Sequence, residues 1–373
     1  MKTLPLLTLV AFGPLLYSCG NSSVGLNEPD FNRVWSASPS AAPEGEAMRA
    51  ASRAQALQLA TRRMNALAPS FSIVAPYASN AAAECSALAM AMLDSGLPVA
   101  MQTEVKGNVM RFIPEYADYV VLREAHRNPS LAATLPGNYK QALNKARRIV
   151  ADVCARHASA YDRAVALHDY LALHTRYDAG LGMTARADAV SRLLADGRAV
   201  CDGYAHAYAL LLSMAGIENT FVIGKGDGTD HIWNMVKLNG HWVHVDVTYN
   251  DPRPDKKGRV MHTYFGMTDA MLAVNHSWNR SAVPSASSEA LYHPFHSGRR
   301  FSTVPEMIRW ASSVADKKEW SATVFIDSLR SCRSAAEVYA RIERETAYGA
   351  HTLRHVSVDK SCRAAIYCTF RNH

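Results

Sequence analysis

The chain has 373 residues, 49% of them hydrophobic and 20% charged, with a formal net charge of +7. That is an ordinary globular composition, and the length suggests two or three domains. The basic excess is diffuse: residues 281–373 hold 13 Lys/Arg against 9 Asp/Glu, with no polybasic block. No recognition motif for nucleic acid accompanies it, so a solvated basic surface is expected and a nucleic-acid partner is not.

The N-terminus reads as a leader. Lys2 precedes an apolar run from Leu4 to Tyr17, too short for a comfortable span and placed where a signal peptide belongs. The run ends in Leu16-Tyr17-Ser18-Cys19, which resembles a bacterial lipobox, with lipidation at Cys19. Residues 1–19 are therefore expected to be a lipoprotein signal peptide. Residues 20–47, rich in Ser, Ala, Pro, Asn and Gly, would be a flexible tether. The expected location is the bacterial cell envelope, with an N-terminal lipid in the membrane. Gly20 after the lipidated Cys favours the outer membrane or surface. Export permits disulfides among Cys85, Cys154, Cys201, Cys332, Cys362 and Cys368. Cys362 and Cys368 could pair only if the chain bends between them.

Residues 48–150 read as an N-terminal α+β region. A helix is predicted over 48–68 and a second over 81–94, capped by Asn80 and stopped by Gly96 and Pro98. Two strands follow, "VAMQTEV" and "NVMRFIPEY", around a turn at Lys106-Gly107-Asn108. A helix is predicted in "NYKQALNKARRIVADVCARH". Residues 151–280 form the next unit. Ser159 caps a helix with Ala164, Leu167, His168 and Leu171 at helical spacing. A short helix at 188–194 and a helix over 202–215 precede three β-rich runs, "NTFVIGKG", "HIWNMVKL" and "HWVHVDVTY". Asn239-Gly240 is a hairpin signal between the last two. Helix first and antiparallel meander second is an α+β layout. A Ser/Ala/Pro stretch then leads to a small α/β module at 295–373, with helices over 303–316 and 334–347 and strands at 320–327, 352–358 and 363–370.

Three residues carry the chemistry. Cys201 opens a helix built of Ala, Leu and Tyr; taken alone it could be a packing or disulfide-bonded cysteine. His231 opens a strand downstream, and Asp246 lies on the next run across the Asn239-Gly240 turn, expected in a strand roughly opposite His231. A thiol at a helix N-terminus beside an imidazole is set up to ionise. The histidine would accept the thiol proton and return it to a leaving amine, and the acid would orient the imidazole. The backbone N–H of Cys201 could donate to an oxyanion. Tyr177 is a candidate for a second donor, and Trp233, on His231's face of the strand, a candidate wall of the substrate site. A zinc set of His231, His244 and Asp246 is the competing reading, and Cys201 at the helix start argues against it.

"AVCDGYAHAYALLLSMAGI", "HIWNMVKLNGHWVHVDVTYNDP", "TYFGMTDAML…HSW" and the upstream "ALHDYLALHTRYD" resemble the core of the transglutaminase-like superfamily. The similar stretches run from about 165 to 278 in the family's Cys…His…Asp order. The resemblance implies a papain-like α+β fold, with Cys201 as nucleophile, His231 as base and Asp246 as orienting acid. It implies acyl transfer at an amide through a thioester, without cofactor or metal. Hydrolysis of a peptide or protein substrate is favoured over protein cross-linking or an idle scaffold binding envelope proteins or cell-wall glycopeptide. Ile232 after the histidine, where a small residue is frequent, departs from the family pattern.

Overall fold

A computed structural model describes residues 9–12, 47–65, 67–94, 98–181, 188–251, 258–296, 299–303, 305–307, 309–310, 320–328, 351–358 and 364–370. Cys19, Cys332, Cys362, the tether at 20–46 and most of the helix positions expected at 303–316 and 334–347 lie outside the described residues. Two compact units emerge: Met1–Ala151 with Gly180–Asp196, and Asp152–Ala179 with Gly197–His373.

The first unit begins with β1 (Leu9–Phe12), β2 (Met48–Arg49), α1 (Arg53–Asn65), β3 (Phe71–Val74) and α2 (Ala81–Asp94). It continues through β4 (Pro98–Lys106), β5 (Val109–Tyr116), α3 (Asp118–Arg127), α4 (Pro129–Thr134) and α5 (Gly137–Arg156), whose last turn passes into the second unit. Its sheet runs β1-β4-β5-β3-β2. The β4–β5 hairpin turns at Gly107, whose φ of +60° suits a residue without Cβ. Strand β5 alternates half-buried and buried positions, and Met110 and Phe112 enter the core. In α2, Cys85 is 1% exposed, and burial pushes its thiol up to about 11, a hydrogen bond with Thr103 opposing it. That is the setting of an inert packing cysteine.

The second unit opens with α6 (Ala160–His174), capped as expected by Ser159, whose Oγ accepts from Asp162 N. Strand β6 (Arg176–Tyr177) follows; α7 (Ala189–Asp196) belongs to the first unit. Strand β7 (Arg198–Ala199) pairs in parallel with β6 and leads directly into α8 (Cys201–Met214). Then come β8 (Asn219–Gly226), β9 (Thr229–Leu238), β10 (His241–Val245), α9 (Val247–Asn250), β11 (Phe265–Met267), α10 (Asp269–Leu272) and β12 (His276–Trp278). The sheet order is β11-β10-β9-β8-β12, all antiparallel. Asn239 and Gly240, at φ of +50° and +82°, make the tight turn between β9 and β10.

Helix α8 buries Tyr204, Ala205 and an unbroken run from Ala207 to Leu212. Each large apolar side chain so buried contributes about 1.5–3 kcal/mol. Polar ties fix its rotation: Tyr208 Oη donates to Ala164 O (2.9 Å), and Asn234 Nδ2 of β9 donates to Ala205 O (3.1 Å). The chain ends with α11 (His293–His296), β13 (Arg300–Thr303), β14 (Trp320–Ser328), β15 (His351–Val358) and β16 (Ala364–Phe370), the strands ordered β13-β14-β16-β15.

Candidate active site

Cys201 is the first residue of α8, partly exposed while most of the helix behind it is buried. Val200 precedes it in extended conformation and supplies no side-chain cap. The positive end of the helix dipole lies beside the sulfur.

His231 sits on β9, opposite Gly224 of β8, and is 9% exposed. Its Nε2 donates to Asp246 Oδ2 at 2.7 Å, which leaves Nδ1 for Cys201, whose side chain is also hydrogen-bonded to the imidazole. Burial opposes charge on this ring, but Asp246 and the Cys201 sulfur outweigh it, and the imidazole is pushed up to about 10. Burial likewise opposes charge on Asp246, yet His231 and His276 hold its carboxyl well below the usual carboxylate range. Cys201, His231 and Asp246 are thus brought together as one hydrogen-bonded chain.

Asp246 is not in a strand, as the V-D-V alternation had suggested. Strand β10 ends at Val245, which lies opposite Asn234, and Asp246 caps α9 by accepting from Tyr249 N through Oδ1 at 3.0 Å. Its backbone N donates to Tyr264 O instead of continuing the ladder with β9. The cap orients the carboxylate better than a strand would, because Oδ1 is committed to the helix and Oδ2 is aimed at the histidine.

Trp233 does not wall a substrate site. It is 1% exposed, stacked on His231 (centroids 5.7 Å apart, 19° between planes), and its Nε1 donates to His244 Nδ1. It braces the back of the imidazole. His244 Nε2 is held by Asp269 Oδ1 at 2.8 Å, so this histidine turns away from Asp246 and takes no part in a set with it. Tyr177 of β6 pairs with Ala199 of β7, two residues ahead of Cys201, which puts it beside the strand that delivers the thiol.

Two neighbours escape a reading by spacing. His276 of β12 places Nε2 at 3.1 Å from Asp246 Oδ2. Tyr249 packs its ring 5.1 Å from His231 and 4.7 Å from His276, with Oη donating to Asp227. Gly226 makes room for both: a Cβ there would lie 2.5 Å from Tyr249 Oη and 3.2 Å from His231 Cδ2. Glycine in an otherwise regular strand was the available signal.

His231, Asp246 and His276 bring potential ligand atoms within 4.8 Å of one another. Both imidazoles lie at hydrogen-bond distance from one carboxylate oxygen, 2.7 and 3.1 Å, closer than the roughly 3.3 Å between ligands sharing a tetrahedral zinc. In this structure the three side chains form a hydrogen-bonded relay.

Residues 147–247 match the family model of the transglutaminase-like superfamily, whose members include cysteine-dependent enzymes such as amidases and transglutaminases. A peptide-N(4)-(N-acetyl-beta-glucosaminyl)asparagine amidase of Caenorhabditis briggsae is 44% identical over 62 residues, 16% of this chain and 10% of that protein. The chain thus spans about a tenth of that relative's length. Among solved structures, a TGase is similar at 16% identity over 51% of this chain and 53% of its own, with a TM-score of 0.28. The periplasmic domain of TgpA from Pseudomonas aeruginosa is similar at 23% identity over 38% and 53%, with a TM-score of 0.25. The stretch from 147 to 247, which carries Cys201, His231 and Asp246, belongs to the transglutaminase-like superfamily.

Proposed function

We propose that the protein is a thiol-dependent acyl-transfer enzyme acting on a peptide or protein amide, with Cys201 as nucleophile, His231 as acid–base and Asp246 as the orienting carboxylate. The observation that carries this reading is the continuous link from the thiol at the start of α8 through His231 to a carboxylate aligned by its own helix cap.

His231 takes the thiol proton, and the Cys201 sulfur attacks the amide carbon. The carbonyl oxygen becomes an oxyanion, received by the Cys201 backbone N–H at the helix N-terminus. The C–N bond then breaks, the imidazolium gives its proton to the departing amine, and a thioester remains. Water, deprotonated by the neutral imidazole, attacks the thioester; the acid is released and the thiol regains its proton. The amidase similarity supports water as the acceptor.

Mass spectrometry of casein and of cell-wall peptides after incubation with the wild type and Cys201→Ala tests the reading. Cleaved or deamidated products that vanish in the variant are expected. Isopeptide-linked products would replace hydrolysis by cross-linking as the reaction, and turnover surviving Cys201→Ala would overturn the mechanism. The same reading puts the enzyme in the cell envelope, anchored at Cys19; palmitate incorporation abolished by Cys19→Ser is the expected result, and incorporation unchanged by it would remove the anchor.

A further inference from the structure

Asp246 has one partner more than a Cys–His–Asp relay requires. Oδ1 accepts from Tyr249 N, while Oδ2 accepts both from His231 Nε2 (2.7 Å) and from His276 Nε2 (3.1 Å). His276 enters from β12, which pairs with β8 on the far side of the sheet from β10. Its side chain is 0% exposed. The ring is gripped on several sides: edge-to-face against Trp233 at 5.0 Å, and tilted against Tyr249 at 4.7 Å and Tyr264 at 5.6 Å. Nδ1 is bonded to Asn275 Oδ1 (2.8 Å), and Asn275 Nδ2 donates in turn to Tyr264 Oη (2.9 Å). The orientation of the His276 ring is therefore fixed before Asp246 is considered.

We propose that His276 is a positioning residue of the triad: it holds Oδ2 of Asp246 while Tyr249 N holds Oδ1, so that Oδ2, and not a rotated carboxylate, meets His231. The proposal rests on the acyl-transfer reading. A carboxylate capping a four-residue helix can turn about its Cβ–Cγ bond, and one backbone donor restrains only one of its oxygens. The second histidine supplies the missing restraint. Small displacements in such a relay cost rate because each proton transfer needs near-linear donor–acceptor alignment. The ionisable groups facing this pair are His231 from β9, His244 from β10, Tyr249 from α9, Tyr264 ahead of β11, and Asp227 on the Tyr249 hydroxyl.

A pair of amide substitutions separates positioning from packing. In His276→Gln the amide nitrogen can take the place of Nε2 and still reach Asp246. In His276→Asn it takes the place of Nδ1, keeping Asn275 and releasing Asp246. The readout is the second-order rate of Cys201 alkylation by iodoacetamide as a function of pH, which needs no substrate, followed by kcat and KM once a substrate is in hand. His276→Asn is expected to slow alkylation and kcat about tenfold with KM changed less than about twofold, and to move the His231 titration downward, as looser alignment predicts. His276→Gln is expected to recover to within about threefold of wild type. Equal losses in the two variants, or no loss in His276→Asn, would overturn the positioning role. Turnover that survives Cys201→Ala would instead overturn the acyl-transfer reading, a separate outcome.

Discussion

Among the described residues of the second unit, two carboxylates each bridge two histidines, and one of the two has a thiol next to its cluster. Asp246 accepts from His231 and His276 through Oδ2; Asp169 accepts from His168 and His262 through Oδ1, at 2.8 and 2.7 Å. The two clusters meet the opposite ends of α9: Asp246 caps its start, and Asn250, its last residue, donates through Nδ2 to His168 Nε2 at 2.9 Å. His168 and His231 are shifted in opposite directions. Asn250 Oδ1 accepts from Tyr264 N, so its amide nitrogen faces His168, and the ring is held with Nε2 as an acceptor. Burial then drives His168 below its ordinary value despite Asp169. His231, with Asp246 on one nitrogen and Cys201 on the other, is raised to about 10. On the proposed reading, a His–Asp–His arrangement is a structural tie when its outer nitrogen is an acceptor, and a reactive relay when that nitrogen meets a thiol.

The sharpest way to break the contrast is substitution at the histidines and acids of each cluster. His231→Ala is expected to lower amide turnover by about 10²–10⁴, the usual worth of a positioned acid–base. Asp169→Asn, in the other cluster, is expected to keep turnover within about threefold, since it touches neither sulfur nor His231. Comparable losses in both would erase the distinction.

Asn250→Ala addresses the link between them. It strands His168 Nε2 and the Tyr264 N–H in a buried site, and a loss of about 2–4 kcal/mol in urea unfolding is expected for two unsatisfied groups. A loss below about 0.5 kcal/mol would mean that Asn250 ties nothing down.

The pH dependence of stability should separate the clusters by sign. His231 is raised, so its contribution is fully present below about 6.5 and is lost as pH rises through about 10. His168 is lowered, so the unfolded chain takes up a proton that the folded ring refuses, and stability falls as pH drops through about 6.5. Melting temperatures of His231→Gln and His168→Gln measured against pH should flatten the alkaline and the acid limb respectively. Gly226→Ala is expected to slow Cys201 alkylation by about three- to tenfold, as the new methyl displaces Tyr249 and His231. An unchanged rate would show that the approach can relax.

Much of this was legible in the sequence, for identifiable reasons. Helix α2, the β4–β5 hairpin and strand β8 follow from apolar periodicity and turn residues, which act locally. Cys201 and His231 were legible because a helix start and a strand start are local signals. Asp246 was found in the right cluster but in the wrong conformation: a four-residue helix is too short to imprint a period on "HVDVTYN", and the valines imitate a strand. Trp233 was placed on the correct face, yet face alone does not tell a wall from a buried brace. His276 is not legible from the sequence, because its partner lies 30 positions away across a β12–β8 pairing that no local pattern encodes.

The central claim is that Cys201 is activated by His231. The most direct measurement is the rate of iodoacetamide alkylation at neutral pH, mapped by peptide to Cys201, with buried Cys85 as the internal unreactive thiol. The account predicts rapid labelling of Cys201 in the wild type, slowed by about 10²-fold or more in His231→Ala. Labelling of Cys201 at the rate of a free thiol in water, unchanged by that substitution, would contradict it.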